Sequence, residues 1–167
     1  MNSLACTLVV LVSFSPPPTK EAADAAKANA SKAAESAILA QEGSKKLYEV
    51  QTGRVSVAYA TYVSNKGAFD ATEQGFLDLS FEKLATQSSS AAGYIEAGDG
   101  CIPSGTQHFE DATKYYADAK WGDAISSFNS AFSEYENAQG NFANANEAIS
   151  DDLITLVELT LKKKLCE

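Results

Sequence analysis

The stretch WGDAISSFNSAFSEYENAQGNFANANEAIS, residues 121–150, repeats a pattern every seven residues. Trp121, Phe128, Tyr135, Phe142 and Ile149 recur at that interval, Leu156 continues it, and Ala124, Ala131, Ala138 and Ala145 follow three residues after the first four. Apolar side chains spaced alternately three and four apart keep one stripe of a helix facing a partner, so this stretch is built to pack helix against helix. A second seam runs through Ala26, Ala30, Ala33, Ala37, Ala40, Ser44 and Leu47. Its small side chains allow a neighbouring helix to come close. Tyr48, Val55, Tyr59 and Tyr62 carry it on with larger residues, so the first helix thickens toward Ser64. The expected fold is all-α: an antiparallel up-and-down bundle of long, heptad-patterned, Ala-rich helices forming one domain over residues 19–167.

Local signals divide the helices. Thr19 can cap the first one, with Glu21 and Asp24 suited to the positive end of its dipole. Asn65-Lys66-Gly67 supplies a stop, and Asp70 with Glu73 three residues later reads as the next start. Phe76, Leu77, Leu79, Phe81, Leu84 and Ala85 then make an apolar face. Residues 98–105, Gly-Asp-Gly-Cys-Ile-Pro-Ser-Gly, read as a loop, dense in residues that break helices or permit positive φ. Ser104 and Gln107 would form a capping box for a further helix presenting Phe109, Ala112, Tyr116 and Ala119. Between Ala119 and Trp121 the stripe slips phase, which marks a turn or a stutter.

Two topologies follow from Gly140-Asn141. If that pair lies inside a helix, three legs of similar length (19–64, 72–120, 123–164) form an elongated bundle. If it is a turn, shorter helices form a compact one. Heptad continuity supports the first; the cost of over 1 kcal/mol for such residues in a helix interior favours the second.

Trp121, Ala124, Ile125, Phe128, Ala131 and Phe132 resemble the aromatic and alanine pattern of a tetratricopeptide helical hairpin, repeated as Phe142-Ala143-Asn144-Ala145. The second copy lies 21 residues on rather than the family's 34, so the likeness implies hairpin packing rather than membership. The stretch from Phe109-Glu110-Asp111-Ala112 to Ala119-Lys120, Phe132 to Phe142, and Asp151-Asp152-Leu153 is similar to plant invertase and pectin methylesterase inhibitors. That resemblance implies a four-helix bundle docking on a carbohydrate-active enzyme. The family's paired N-terminal cysteines and its cysteine near Ala138 are absent.

Charge narrows the partners. Asp and Glu total 22 against 13 Lys and Arg, a net charge of −9, and Arg54 is the only arginine. Little is available to displace counterions from a nucleic acid, so none is expected as a partner. Lys162, Lys163 and Lys164 close a helix and complement the negative end of its dipole more readily than they mark an anionic lipid surface. Leu4 to Phe14 is an apolar run of signal-peptide length, too short to span a bilayer, followed by Ser15 and Pro16 to Pro18. Residues 1–18 are therefore read as a signal segment and Pro-rich linker, although no lysine or arginine precedes the run. The mature chain is expected outside the cytoplasm and without membrane association. Asn29-Ala30-Ser31 is an N-glycosylation triplet in a eukaryotic secreted chain. Removal of Cys6 with the signal would leave Cys101 and Cys166, whose bridging would stabilise by roughly 4 kcal/mol if unstrained.

Chemistry-bearing clusters are sparse. Gly100, Gly105 and Thr106 lack the lysine and preceding strand of a phosphate-binding loop. His108, the only histidine, beside Glu110 and Asp111 reads as a solvated helix turn, and Asp151 and Asp152 diverge by about 100 degrees on a helix. No catalytic, cofactor or metal site is expected. Tyr115, Tyr116, Tyr135 and Trp121 read as core, while Tyr94, Asp99, Ile102, Tyr48, Tyr59 and Tyr62 are the candidates for a recognition surface. The expected function is non-enzymatic: binding of a protein partner, with an enzyme inhibitor or a self-associating structural subunit as alternatives.

Overall fold

The computed structural model describes residues 17–166. The apolar run Leu4 to Phe14 and Cys6 lie outside the described residues. Four α-helices follow one another: α1 (Lys20–Ser64), α2 (Ala71–Ala117), α3 (Trp121–Ala148) and α4 (Asp151–Leu165), with a 3-10 turn at Lys66–Ala68 between α1 and α2. No strand occurs among the described residues. At 1.5 Å per residue, α1 and α2 are each about 70 Å long. They run antiparallel, and α3 and α4 together form a third leg beside them. α2 and α3 make the most extensive interface, α1 also packs on α3, and α4 packs on α1 and α2. Any cross-section therefore holds three helices, not the four that the inhibitor resemblance implies.

The caps explain the boundaries. The Ala22 N–H donates to Thr19 Oγ1 at 3.2 Å, and the Asp70 and Glu73 side chains each accept from the other's backbone N–H, a complete capping box. The α2–α3 turn has a Schellman arrangement. The Ala119 N–H donates to the Tyr116 carbonyl and the Lys120 N–H to that of Tyr115, with Ala119 at φ 56°. A positive φ usually falls to glycine, and here alanine holds it without one.

Three readings of the sequence are corrected. Residues 98–105 are not a loop but the middle of α2. The Ser104 hydroxyl donates to the Gly100 carbonyl within that helix, so no capping box with Gln107 exists. Gly140 lies inside α3, which excludes the compact topology; the third leg breaks instead at Ile149-Ser150. At the break, Ser150 Oγ accepts from the Leu153 N–H, Gln87 Oε1 accepts from the Ser150 N–H, and buried Gln51 donates to the Ile149 carbonyl. Side chains of α1 and α2 thus satisfy backbone groups that the interruption leaves open. Cys101 and Cys166 are free thiols. Glu73 is ion-paired to Lys164, two residues before Cys166. Cys101 lies 28 positions further along the same helix as Glu73, about 42 Å away, so the bridge that the compact topology would have allowed is out of reach within this chain.

The α2–α3 packing shows why glycine sits in mid-helix. A Cβ on Gly98 would lie 2.6 Å from the Phe142 ring, and one on Gly105 would lie 2.8 Å from the Tyr135 ring. Continuing this antiparallel register by heptads sets Ala91 opposite Ile149 and Ala112 opposite Phe128, all four buried. In the alternate layers the sizes invert: Ile95, Ile102, Phe109 and Tyr116 face Ala145, Ala138, Ala131 and Ala124. Large against small in every layer lets two helices approach closely without voids. The aromatics fill the centre, so α1 covers this region with its alanine seam, where Ala23, Ala30 and Ala37 are 0% exposed.

Candidate interaction groove between α1 and α2

Both α1 and α2 rest on the third leg, and the side chains facing across between them are small. Thr52 and Ser56 on α1 line one cleft with Ala85 and Ser88 on α2, and Ala92 lines a second with Tyr48, so the α1–α2 side is open as two successive clefts. The one nearer the α1–α2 turn, about 520 Å³, has Val55, Tyr59 and Phe81 as its apolar wall, with Asp78 and Glu82 at its edge. Tyr59 is 52% exposed and meets buried Phe81 edge to face, with ring centroids 5.1 Å apart. The other, about 330 Å³, is lined by Tyr48, Ala92 and Ile95 and edged by Lys45, Glu49, Glu96 and Asp99.

Two of these carboxylates are tied within the protein. Asp99 accepts from Gln41 Nε2 at 2.6 Å and pairs with Lys45 at 2.8 Å; burial pushes its carboxyl up, and these two partners outweigh that and hold it below the usual range. Asp78 accepts from the Tyr62 hydroxyl at 2.8 Å and pairs with Lys66, which together lower its pKa. Glu49, Glu82 and Glu96 have no ion pair among the described residues.

Of the six candidate recognition residues, the fold brings Tyr48, Tyr59 and Asp99 into this groove. Tyr94 is exposed and lines neither cleft. Two belong elsewhere: Tyr62, 1% exposed, is a core residue against Phe69 and Phe81, and Ile102 packs half-buried on the α2–α3 core. Both occupy the inward heptad positions of their helices. Sequence reasoning missed Phe81, Ala85, Glu82 and Glu96 as groove residues. The signal for the last two was present, since they stand two heptads apart on one side of α2. Of the four aromatics expected in the core, Tyr135 is buried, its hydroxyl 3.2 Å from Thr106 Oγ1, and half-buried Tyr116 and Trp121 meet edge to face, whereas Tyr115 is exposed, against the expectation. Asn29 is exposed on α1, and His108 is exposed on α2. Among the described residues no three His, Cys, Asp or Glu side chains converge to hold a metal, and no helix is long and apolar enough to cross a membrane.

A separate polar network holds α4. Arg54 donates from Nε and Nη2 to Glu158 at 3.0 and 2.8 Å, from Nη2 to Thr155 at 3.2 Å, and from Nη1 to Asp151. Lys164 pairs with Glu73 at 3.0 Å. Arg54 lowers the Glu158 pKa, and the Asp70 backbone N–H followed by Lys164 lowers that of Glu73. Both carboxyls thus bind protons less readily folded than unfolded. Their stabilisation is complete above the ordinary glutamate value of 4.5 and is lost as pH falls through the lower folded values. Acidification is therefore expected to release α4 before the rest of the bundle, and Arg54→Ala to produce the same release at neutral pH. Hydrogen exchange checks this: α4 amides should exchange about fivefold faster in the variant, a loss on the order of 1 kcal/mol for a part-exposed network, with α3 unchanged.

The fold and groove define the class: an all-α, elongated antiparallel three-helix bundle with an open groove between α1 and α2. No protein family, curated protein or solved structure matches the chain.

Proposed function

We propose that this chain is a non-enzymatic, exported binding module whose α1–α2 groove receives a segment of a protein partner. The observation that supports this most is the groove itself: two successive clefts between α1 and α2 in which Tyr48, Val55 and Tyr59 are accessible beside small side chains. Export rests on the apolar run Leu4 to Phe14, and the intact mass of the natively produced chain tests it. A photo-crosslinking residue at Tyr59 is expected to yield a discrete adduct in the native source. The same residue at Tyr115, exposed outside the groove, should yield none, and Ala85→Trp, which fills the cleft, should abolish the Tyr59 adduct. Equal labelling at both positions would refute the groove as the binding site.

Self-association is a second reading, favoured by a different observation. Phe76, Leu79, Leu156 and Leu159 are exposed near the α4 end of the bundle. Sedimentation velocity over a range of concentrations separates the two, since a monomer at all concentrations removes the second.

A further inference from the structure

Resting on the groove reading, we propose that the partner segment is a basic amphipathic helix, seated along α1 and α2 as a fourth helix. The groove extends along α2 from Asp78 to Asp99, about 32 Å at 1.5 Å per residue, which suits a helix of roughly 18 to 20 residues. Its walls are helices whose backbone groups are already paired, so they offer no edge for an added strand. An extended peptide would lay unpaired N–H and C=O groups against Tyr48, Val55 and Phe81, whereas a helix satisfies its own backbone and presents only side chains. The small residues Ser56, Ala85 and Ala92 leave room for it to approach.

Charge specifies the sign of the flanks. The two clefts are lined by five carboxylates, Glu49, Asp78, Glu82, Glu96 and Asp99, and by one lysine, Lys45. Asp78 and Asp99 are neutralised internally, which leaves Glu49, Glu82 and Glu96 as the rim. Glu82 and Glu96 are separated by four turns of α2, about 21 Å, and Glu49 stands across the second cleft from Glu96. The matching ligand carries Lys or Arg near both ends of an apolar stripe. An acidic helix would place like charges beside all three rim carboxylates.

The test uses the full chain and two synthetic helical peptides of about 18 residues with the same leucine stripe, one flanked by lysines and the other by glutamates. Anisotropy titrations at physiological salt are expected to show the lysine peptide binding at least about tenfold more tightly than the glutamate peptide. The triple variant E49Q/E82Q/E96Q should weaken the lysine peptide about tenfold, as the sum of three rim pairs. E35Q/E110Q/E147Q, which removes the same charge from other exposed positions, should leave its affinity within about twofold. Equal loss in the two triple variants would reduce the effect to net charge and overturn the proposal, as would equal binding of the two peptides. Ala85→Trp separates the levels. If it abolishes binding while the two peptides bind the parent chain equally, the groove stands and the basic specificity falls; if it affects neither peptide, the groove reading itself falls.

Discussion

Replacing Phe142 with alanine is expected to destabilise the bundle by about 3–5 kcal/mol, the range for deleting a fully buried aromatic side chain. The ring is 0% exposed and fills the space left by Gly98, where a Cβ would come within 2.6 Å of it. No neighbour stands ready to occupy the void, because the layers on either side are already matched large against small. The same geometry predicts opposite signs for neighbouring glycines. Gly98→Ala gains up to about 1 kcal/mol of helix propensity but forces the Phe142 ring to shift, at about 1–3 kcal/mol, so it should destabilise. Gly100→Ala and Gly140→Ala meet nothing within 4 Å and should each stabilise by up to about 1 kcal/mol. Adding Gly98→Leu to Phe142→Ala should recover part of the loss, since the large side chain then comes from the other helix. Urea denaturation of the two single variants and the double variant measures this as a coupling energy. Strictly additive effects would refute the assigned register.

Ala37→Leu should cost about 1–3 kcal/mol by overpacking the seam between α1 and α3. Ser44 Oγ reaches the Phe142 carbonyl at 3.3 Å and Gln139 Nε2 reaches the Ala33 carbonyl at 3.3 Å, contacts that require the two helices to run close together. Ala37, one heptad before Ser44, is level with Tyr135 and is 0% exposed. A leucine there has no small residue opposite it, because the centre is already filled by aromatics from α3. Ala28→Leu, on the exposed face of the same helix, should stay within about 0.5 kcal/mol of the parent. The same denaturation experiment makes the comparison. Equal effects at Ala28 and Ala37 would mean that the seam does not limit the approach of α1.

Part of the groove was legible for the same reason as the core. Heptad phase places Tyr62 and Ile102 inward, and a strict reading of that phase would have removed both from the recognition surface. Continued from Ala37 and Ser44, the buried phase runs through Gln51, Ala58 and Tyr62 and leaves Tyr59 outward, against its expected place on the seam, and it sets Glu82 and Glu96 along one side of α2. The clefts were not legible, because they depend on how far apart α1 and α2 are held by the third leg, and no local pattern encodes that separation.

The chain's own pattern determined the all-α class, the seams that face inward, the starts at Thr19 and Asp70, the stop after Ser64 and the phase slip before Trp121. Each depends on side-chain period or on hydrogen bonds between residues a few positions apart, and such interactions are local. Tertiary structure alone decided that residues 98–105 and Gly140 are helical and that the α2–α3 turn is made by an alanine at positive φ, places where local propensity points the other way. The break at Ile149-Ser150 joins a local cap, Ser150 with Asp151 and Asp152 after it, to distant partners. The outcome was set by the fit of Phe142 and Tyr135 onto Gly98 and Gly105, and by Gln51 and Gln87 taking up the backbone groups that the break exposes. Those partners are distant in sequence and meet only once the helices have packed.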